Sequence, residues 1–340
     1  MQVLITGGAG FIGSHLAELL ISQGHDVCAL DDLSTGSISN LGAIRNHPRF
    51  RFQSADVMDR CPLAEFVDNC DVIYHLAAAV GVRLVVESPV RTIQTNVGAT
   101  EVVLDLASKK KKLVLVASTS EVYGKSTKTP FCEGDDLVIG ASTHGRWSYA
   151  CSKAIDEFLA LAYWREKHLP VIVVRLFNTV GARQIGRYGM VLPNFVMAAL
   201  RNEPLRVFGT GKQSRCFADV RDVVRALSGL VLSDRSVGEI FNVGNDQECT
   251  IEELAHKVRN QLGSQSPIAY VPYNEAYGIG FEDMMRRVPS LAKIEQAIGY
   301  RPTYNLAEII DSVADHLRPK VACAVGFHPR FQTMATGTAD

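Results

Sequence analysis

The sequence predicts an α/β fold, a Rossmann-type doubly wound parallel sheet with a smaller C-terminal α/β domain. Three observations carry this. The chain opens on an apolar run that breaks into a glycine-rich turn, TGGAGFIG over 6–13, and then into a helical pattern. Short, nearly all-apolar runs alternate with helical stretches through the first half, as strands buried on both faces should. An acid, Asp31, closes the second apolar run, 18 residues after Gly13. A length of 340 residues fits two domains.

Taken in order, strands are expected at Val3–Thr6, Val27–Leu30, Arg51–Gln53, Val72–His75, Leu113–Ala117 and Val171–Leu176. Helices are expected between them at Ile12–Gln23, Leu63–Asn69, Pro89–Ser108 and Ser148–Lys167, with Pro89 suited to a first helical turn. This alternation implies right-handed crossovers. After Phe177 the rhythm breaks. Gly181, Arg183, Gly186, Arg187 and Gly189 mark a ligand-facing loop. Helical patterns return at Pro193–Arg201, Val220–Leu232, Ile251–Leu262 and Leu306–Leu317, with short strands at Arg206–Phe208 and Ile240–Val243. Residues 1–176 are assigned to the first domain, with 219–246 returning to it. Residues 177–218 and 247–318 form the second, and 319–340 are expected to be a mobile tail of little periodicity.

Composition excludes several classes. Lys+Arg is 35 and Asp+Glu 36, a net charge of −1, which argues against a general nucleic-acid binder. The basic run Lys109–Lys112 ends a helical pattern, where cations suit the helix dipole. No apolar stretch is long enough to span a membrane. The first residues carry no basic segment or cleavage site, so a cytoplasmic protein is expected. The eight cysteines are scattered without a Cys-x-x-Cys pair, pointing to reduced thiols and no metal site.

The glycine turn has a specific chemistry. Gly7 permits the tight turn, Gly10 lets backbone approach a pyrophosphate at the helix N-terminus, and Gly13 lets helix pack on strand. Asp31 stands where an acid grips the adenosine ribose. It favours a free 2′-hydroxyl over a 2′-phosphate, hence NAD over NADP, and Asp32 adds negative charge. Asp56, after the third strand, could accept from the adenine amino group or simply cap a loop. Farther on, Tyr149 and Lys153 stand four apart on a helix and share a face. An ammonium near a phenol favours the phenolate, so the tyrosine can act as a base. The same spacing also suits an ordinary helix surface. The strand ending at Ala117 runs into Ser118-Thr119-Ser120-Glu121, at the sheet edge where ligands bind and a hydroxyl can meet the substrate.

With these residues, residues 1–318 resemble the extended short-chain dehydrogenase/reductase family that modifies nucleotide sugars. The resemblance rests on TGGAGFIG, Asp31, the HLAA stretch His75–Ala78, Asn96, STSEVYG from Ser118 to Gly124, Tyr149/Lys153 and FNTVG from Phe177 to Gly181. It implies NAD held against Gly7, Gly10, Phe11, Ile12, Gly13, Asp31, Asp32, Asp56, Val57, Leu76, Ala77, Ala78, Asn96, Ser118, Tyr149 and Lys153. It implies oxidation of the sugar at carbon 4, with Thr119, Glu121, Tyr149 and Lys153 catalytic. Ser120, Asn178, Arg215 and Arg287 are expected to bind a nucleotide sugar, UDP-linked in the favoured reading.

Simple 4-epimerases of the family usually carry a small or apolar residue where Glu121 stands; a glutamate looks like the 4,6-dehydratases and UDP-glucuronate decarboxylases. RWSYACSK (Arg146–Lys153) and YGIGFEDMMRRVP (Tyr277–Pro289) resemble UDP-apiose/xylose synthases and the lipid A aminoarabinose decarboxylase. Val80 and Ser120 replace the two apiose-synthase cysteines, which argues against ring contraction. The loop Gly81–Val85 lacks the tyrosine that decarboxylases place there; Arg83 either replaces its carboxylate contacts or faces solvent. Glu121 is either a working acid or base or a buried carboxylate paired with an arginine. The favoured reading is UDP-glucuronate decarboxylation, with 4-epimerisation and 4,6-dehydration as alternatives. A non-catalytic NAD-binding regulator has no need of the Thr119/Tyr149/Lys153 set. The family also implies a homodimer through the helices at Pro89–Ser108 and Ser148–Lys167, where Val102, Val103, Leu159 and Leu161 extend beyond one apolar stripe.

Overall fold

The structure is a computed structural model describing residues 1–80, 88–186, 189–273, 275 and 284–326, with only the backbone for 323–326. Seven strands form one sheet: β1 Gln2–Thr6, β2 Asp26–Asp31, β3 Phe50–Ser54, β4 Val72–His75, β5 Leu113–Thr119, β6 Val171–Leu176 and β11 Ile240–Val243. Their order is β3-β2-β1-β4-β5-β6-β11, and every pairing is parallel. The order reverses between β1 and β4, which opens a crevice at the carboxyl ends of the strands. Central strands are buried along nearly their whole length, β6 through five consecutive residues. Edge strand β3 keeps only Phe50 buried, so its polar alternation costs nothing.

Helices cover both faces. On one, α1 (Phe11–Ser22) packs Leu16 and Leu20 with Val223 and Leu227 of α6 (Val220–Val231). On the other, α2 (Arg60–Asp68), α3 (Pro89–Lys110) and α4 (Trp147–Lys167) bury Leu63, Val103, Leu104 and Ala160 against the sheet. A third core joins α5 (Val191–Arg201), α7 (Ile251–Gln261) and α9 (Leu306–Gly326) around Leu192, Phe195, Leu254, Val258, Ile310 and Val313. Beside it, β8 (Leu205–Phe208) pairs parallel with β13 (Ile268–Val271), and β9 (Ser214–Cys216) antiparallel with β12 (Glu248–Thr250). The two-residue strands β7 (Thr179–Val180) and β10 (Ala218–Asp219) link the two parts. The short helix α8 is Ala292–Ile298.

Two expectations need correction. Helix α9 continues through Pro319 to Gly326, where an aperiodic tail was expected. The proline removes one backbone donor, and both Pro319 and Asp315, whose carbonyl loses it, are exposed, so water can satisfy that carbonyl. Val102 and Val103 are buried within the chain, and Leu159 and Leu161 pack on the same core. The apolar side chains left outside on α3 and α4 are instead Val90, Ile93, Ile155 and Phe158. The seven cysteines outside 323–326 are all unpaired. Among the described residues, no helix is long and apolar enough to cross a membrane, and no His/Cys/Asp/Glu group is arranged to hold a metal.

Candidate active site

The glycine turn is shaped by close approach. Gly7 sits at φ +72°, and a side chain there would meet Ala77 backbone at 2.8 Å. A Cβ on Gly13 would lie 2.2 Å from the Gly7 carbonyl. The α1 N-terminus therefore stands against the ends of β1 and β4, with Gly10 as its N-cap. Asp31 is buried beside the turn: Oδ2 accepts from Ala9 N at 3.0 Å and Oδ1 from Leu33 N at 2.8 Å. Burial pushes its carboxyl up, and these two amides pull it back. Asp32 instead accepts from Ser34, and exposed Asp56 from Met58 N at 2.8 Å, so each closes its own turn. The side chain of Val57 is spent in the core. Leu76 N donates to the Thr6 carbonyl, which holds Leu76, Ala77 and Ala78 beside the turn. The Asn96 amide is fully engaged: Oδ1 accepts from Ala79 N and Nδ2 donates to Ser152. It clamps the loop after β4 to α4. A cradle that only glycine fits, opening on a helix N-terminus with a buried carboxylate beside it, fits a dinucleotide.

From this crevice a cavity of about 780 Å³ runs into the second part of the chain. Phe11, Ile12, Ser118, Thr119, Ser120, Glu121 and Tyr149 line its sheet side, and Asn178, Arg215 and Arg287 its other side. Strand β5 delivers Thr119, and α4 places Tyr149 opposite, hydrogen-bonded to it. Ser120 Oγ is buried without a hydrogen-bond partner and faces this space. Ser118 donates to Glu157, which also takes the Arg175 guanidinium at 2.7 Å, so Ser118 supports the site from behind.

Charge is arranged unevenly around the phenol. Glu121 lies between two arginines, 3.4 Å from Arg287 and 3.7 Å from Arg146. All three carry less than 15% side-chain exposure, so this charge is poorly screened. Burial, followed by Glu121, raises the Tyr149 phenol above its usual value; Thr119 and Arg287 pull the other way. Lys153 is committed elsewhere: its ammonium is 2.6 Å from Asp156. The sequence showed the Tyr149–Lys153 spacing, but not this competing partner one turn farther along. Arg287 also donates to Asn178 Oδ1 at 3.4 Å, and Arg215 donates to the carbonyls of Ser214 and Met284. Arg83 lies outside the described residues. Two residues went unassigned from sequence. Arg146 was visible only as part of RWSYACSK, and Asp156 as an acid three after Lys153.

Residues 4–313 match the GDP-mannose 4,6 dehydratase family. The chain is 41% identical over 302 residues to the UDP-N-acetyl-alpha-D-glucosaminuronate decarboxylase of Bacillus cytotoxicus, covering 88% of this chain and 92% of that protein. It is 36% identical over 324 residues to UDP-glucuronic acid decarboxylase 1 of Arabidopsis thaliana, covering 94% and 71%. Among solved structures, the dTDP-glucose 4,6-dehydratase of Streptomyces venezuelae, with NAD and TYD bound, superimposes with a TM-score of 0.84. It is 30% identical, and the match covers 97% of this chain and 99% of that one. The glycine cradle, the Thr119–Tyr149 pair and the cavity beyond them thus belong to a known kind of enzyme: the chain is a member of the GDP-mannose 4,6 dehydratase family, the nucleotide-sugar enzymes of the extended short-chain dehydrogenase/reductase type.

Proposed function

We propose that this enzyme decarboxylates a UDP-linked hexuronate, UDP-glucuronate or its 2-acetamido counterpart, using NAD. The observation that carries it is Glu121 between Arg146 and Arg287, on the same cavity as Thr119 and Tyr149. An arginine pair suits a carboxylate, and the relatives named above are uronate decarboxylases. Gly7, Gly10 and Gly13 would seat the pyrophosphate and Asp31 the adenosine ribose, with NAD bound in preference to NADP. Bound NAD supplies the hydride acceptor.

Tyr149 takes the proton of the 4-hydroxyl, which Thr119 positions. The resulting 4-keto uronate is a β-keto acid. Its bond from carbon 5 to the carboxylate breaks, carbon dioxide leaves, and the electron pair passes to the ketone oxygen as an enolate. A proton then returns to carbon 5. Glu121 and Arg287 hold ring and carboxylate in register. Arg287 must not bind the departing carboxylate too tightly, because only differential binding of the transition state speeds the step. Asn178 and Arg215 contact the diphosphate. The outer face Val90, Ile93, Ile155 and Phe158 pairs with a second copy as a homodimer, which light scattering tests.

The deciding experiment is mass spectrometry of products from UDP-glucuronate, its 2-acetamido analogue and neutral UDP- and GDP-hexoses. Loss of carbon dioxide from a uronate, with or without two further hydrogens, supports the proposal. An unchanged mass with a new retention time means 4-epimerisation, and loss of water from a neutral hexose means dehydration; either overturns it.

A further inference from the structure

Beneath Tyr149 runs a buried polar chain that the proposed reaction leaves unused. Lys153 and Asp156 stand one turn apart on α4, both buried, with Nζ to Oδ2 at 2.6 Å. Thr100 of α3 is fully buried beside the Asp156 carboxylate, whose Oδ1 has no hydrogen-bond partner. The Thr100 hydroxyl also meets His75 Nε2 at 3.2 Å, and His75 Nδ1 meets Thr6 Oγ1 at 2.8 Å. Four elements, β1, β4, α3 and α4, thus contribute one link or more each.

His75 is held neutral: burial, then Lys153, push its imidazole down to about 3.

We propose that Asp156 is a positioning residue that pins the Lys153 ammonium one turn along α4 from Tyr149 and, with its own charge, sets the acidity of that phenol. A buried ammonium needs a counter-charge, and Asp156 supplies it at 2.6 Å. The same carboxylate acts on the phenol directly and holds it above its usual value. The other charges facing Tyr149 are Glu121 and Arg287. Glu157 also faces Asp156, but is itself paired with Arg175. Asp156 also holds the phenol up by its own negative charge, so removing that charge makes the phenol proton leave more readily.

This rests on Tyr149 being the acid–base group, and the test separates the two claims. Asp156→Asn and Asp156→Ser are compared with wild type as NAD-loaded enzyme. Phenolate absorbance is titrated with the Tyr149→Phe spectrum subtracted, alongside the pH profile of single-turnover NAD reduction. Both midpoints should move about one pH unit lower, the size of shift a neighbouring charge commonly makes. A folded neutral variant with a wild-type or higher phenolate midpoint overturns the proposal. So does failure of both variants to fold, which makes Asp156 structural. If Tyr149→Phe still reduces NAD at the wild-type rate, the base assignment fails, while the absorbance titration still reports on Asp156.

Discussion

The two walls of the active site are built differently. The proposed cofactor side is made of backbone and small residues: the Gly7–Gly13 turn, its carbonyls and amides, and an Asp31 already held by two N–H groups. The proposed sugar side is made of long side chains from distant segments, Glu121, Arg146 and Arg287, with separations of 3.4–3.7 Å. The first wall is preformed and tolerates no added atom. The second is electrostatic and adjustable, so small changes there can redirect chemistry without disturbing the fold.

Four experiments break or sharpen the comparison. The largest effect is expected where the walls meet. Tyr149→Phe should slow NAD reduction by bound sugar about 10²–10⁴-fold while both ligands still bind by calorimetry. On the rigid wall, Gly13→Ala forces a Cβ to 2.2 Å from a carbonyl oxygen. Overpacking of this kind costs about 1–3 kcal/mol, so NAD should bind roughly ten- to a hundredfold more weakly, with a lowered melting temperature. An unchanged affinity would show that this wall also yields.

On the adjustable wall, Arg287→Met should cut kcat/KM for a uronate about ten- to a hundredfold, the worth of a charged hydrogen bond, with NAD affinity unchanged. An equal loss for a neutral UDP-hexose would mean that Arg287 serves the diphosphate. The smallest effect belongs to the support behind both walls. His75 has its imidazole depressed from 6.5 to about 3, chiefly by burial. Its contribution to stability is present above pH 6.5 and is lost as pH falls towards about 3, because the unfolded chain takes the proton first. His75→Gln should flatten the fall of melting temperature across that window; an identical slope would show that His75 charges in the folded state.

Much of this was legible beforehand, for local reasons. Strands such as Val171–Leu176 announce themselves because burial on both faces demands an unbroken apolar run. Strand β13, the parallel partner of β8, was harder: Ile268–Val271 is only partly buried, so its pattern is weak. The stretch from Pro319 shows little periodicity in sequence, yet the helix runs through the proline to Gly326, with the Asp315 carbonyl left to water.

By itself, the sequence determined the glycine turn, Asp31, the Tyr149/Lys153 spacing and the alternation of strands and helices, since each depends on residues within one or two turns of one another. Tertiary structure alone decided which partner each charge takes. Glu121 and Arg287 are 166 residues apart yet adjacent in space. Lys153 stands within a turn or so of both Tyr149 and Asp156, and the packing of α3 against α4 brings Thr100 to Asp156. Val102 and Leu159 are apolar in a way that suits either a core or a subunit contact, and only the sheet beneath them assigns them to the core. Ion pairing and burial are properties of three-dimensional proximity, which chain spacing does not encode beyond a helix turn or a strand pair.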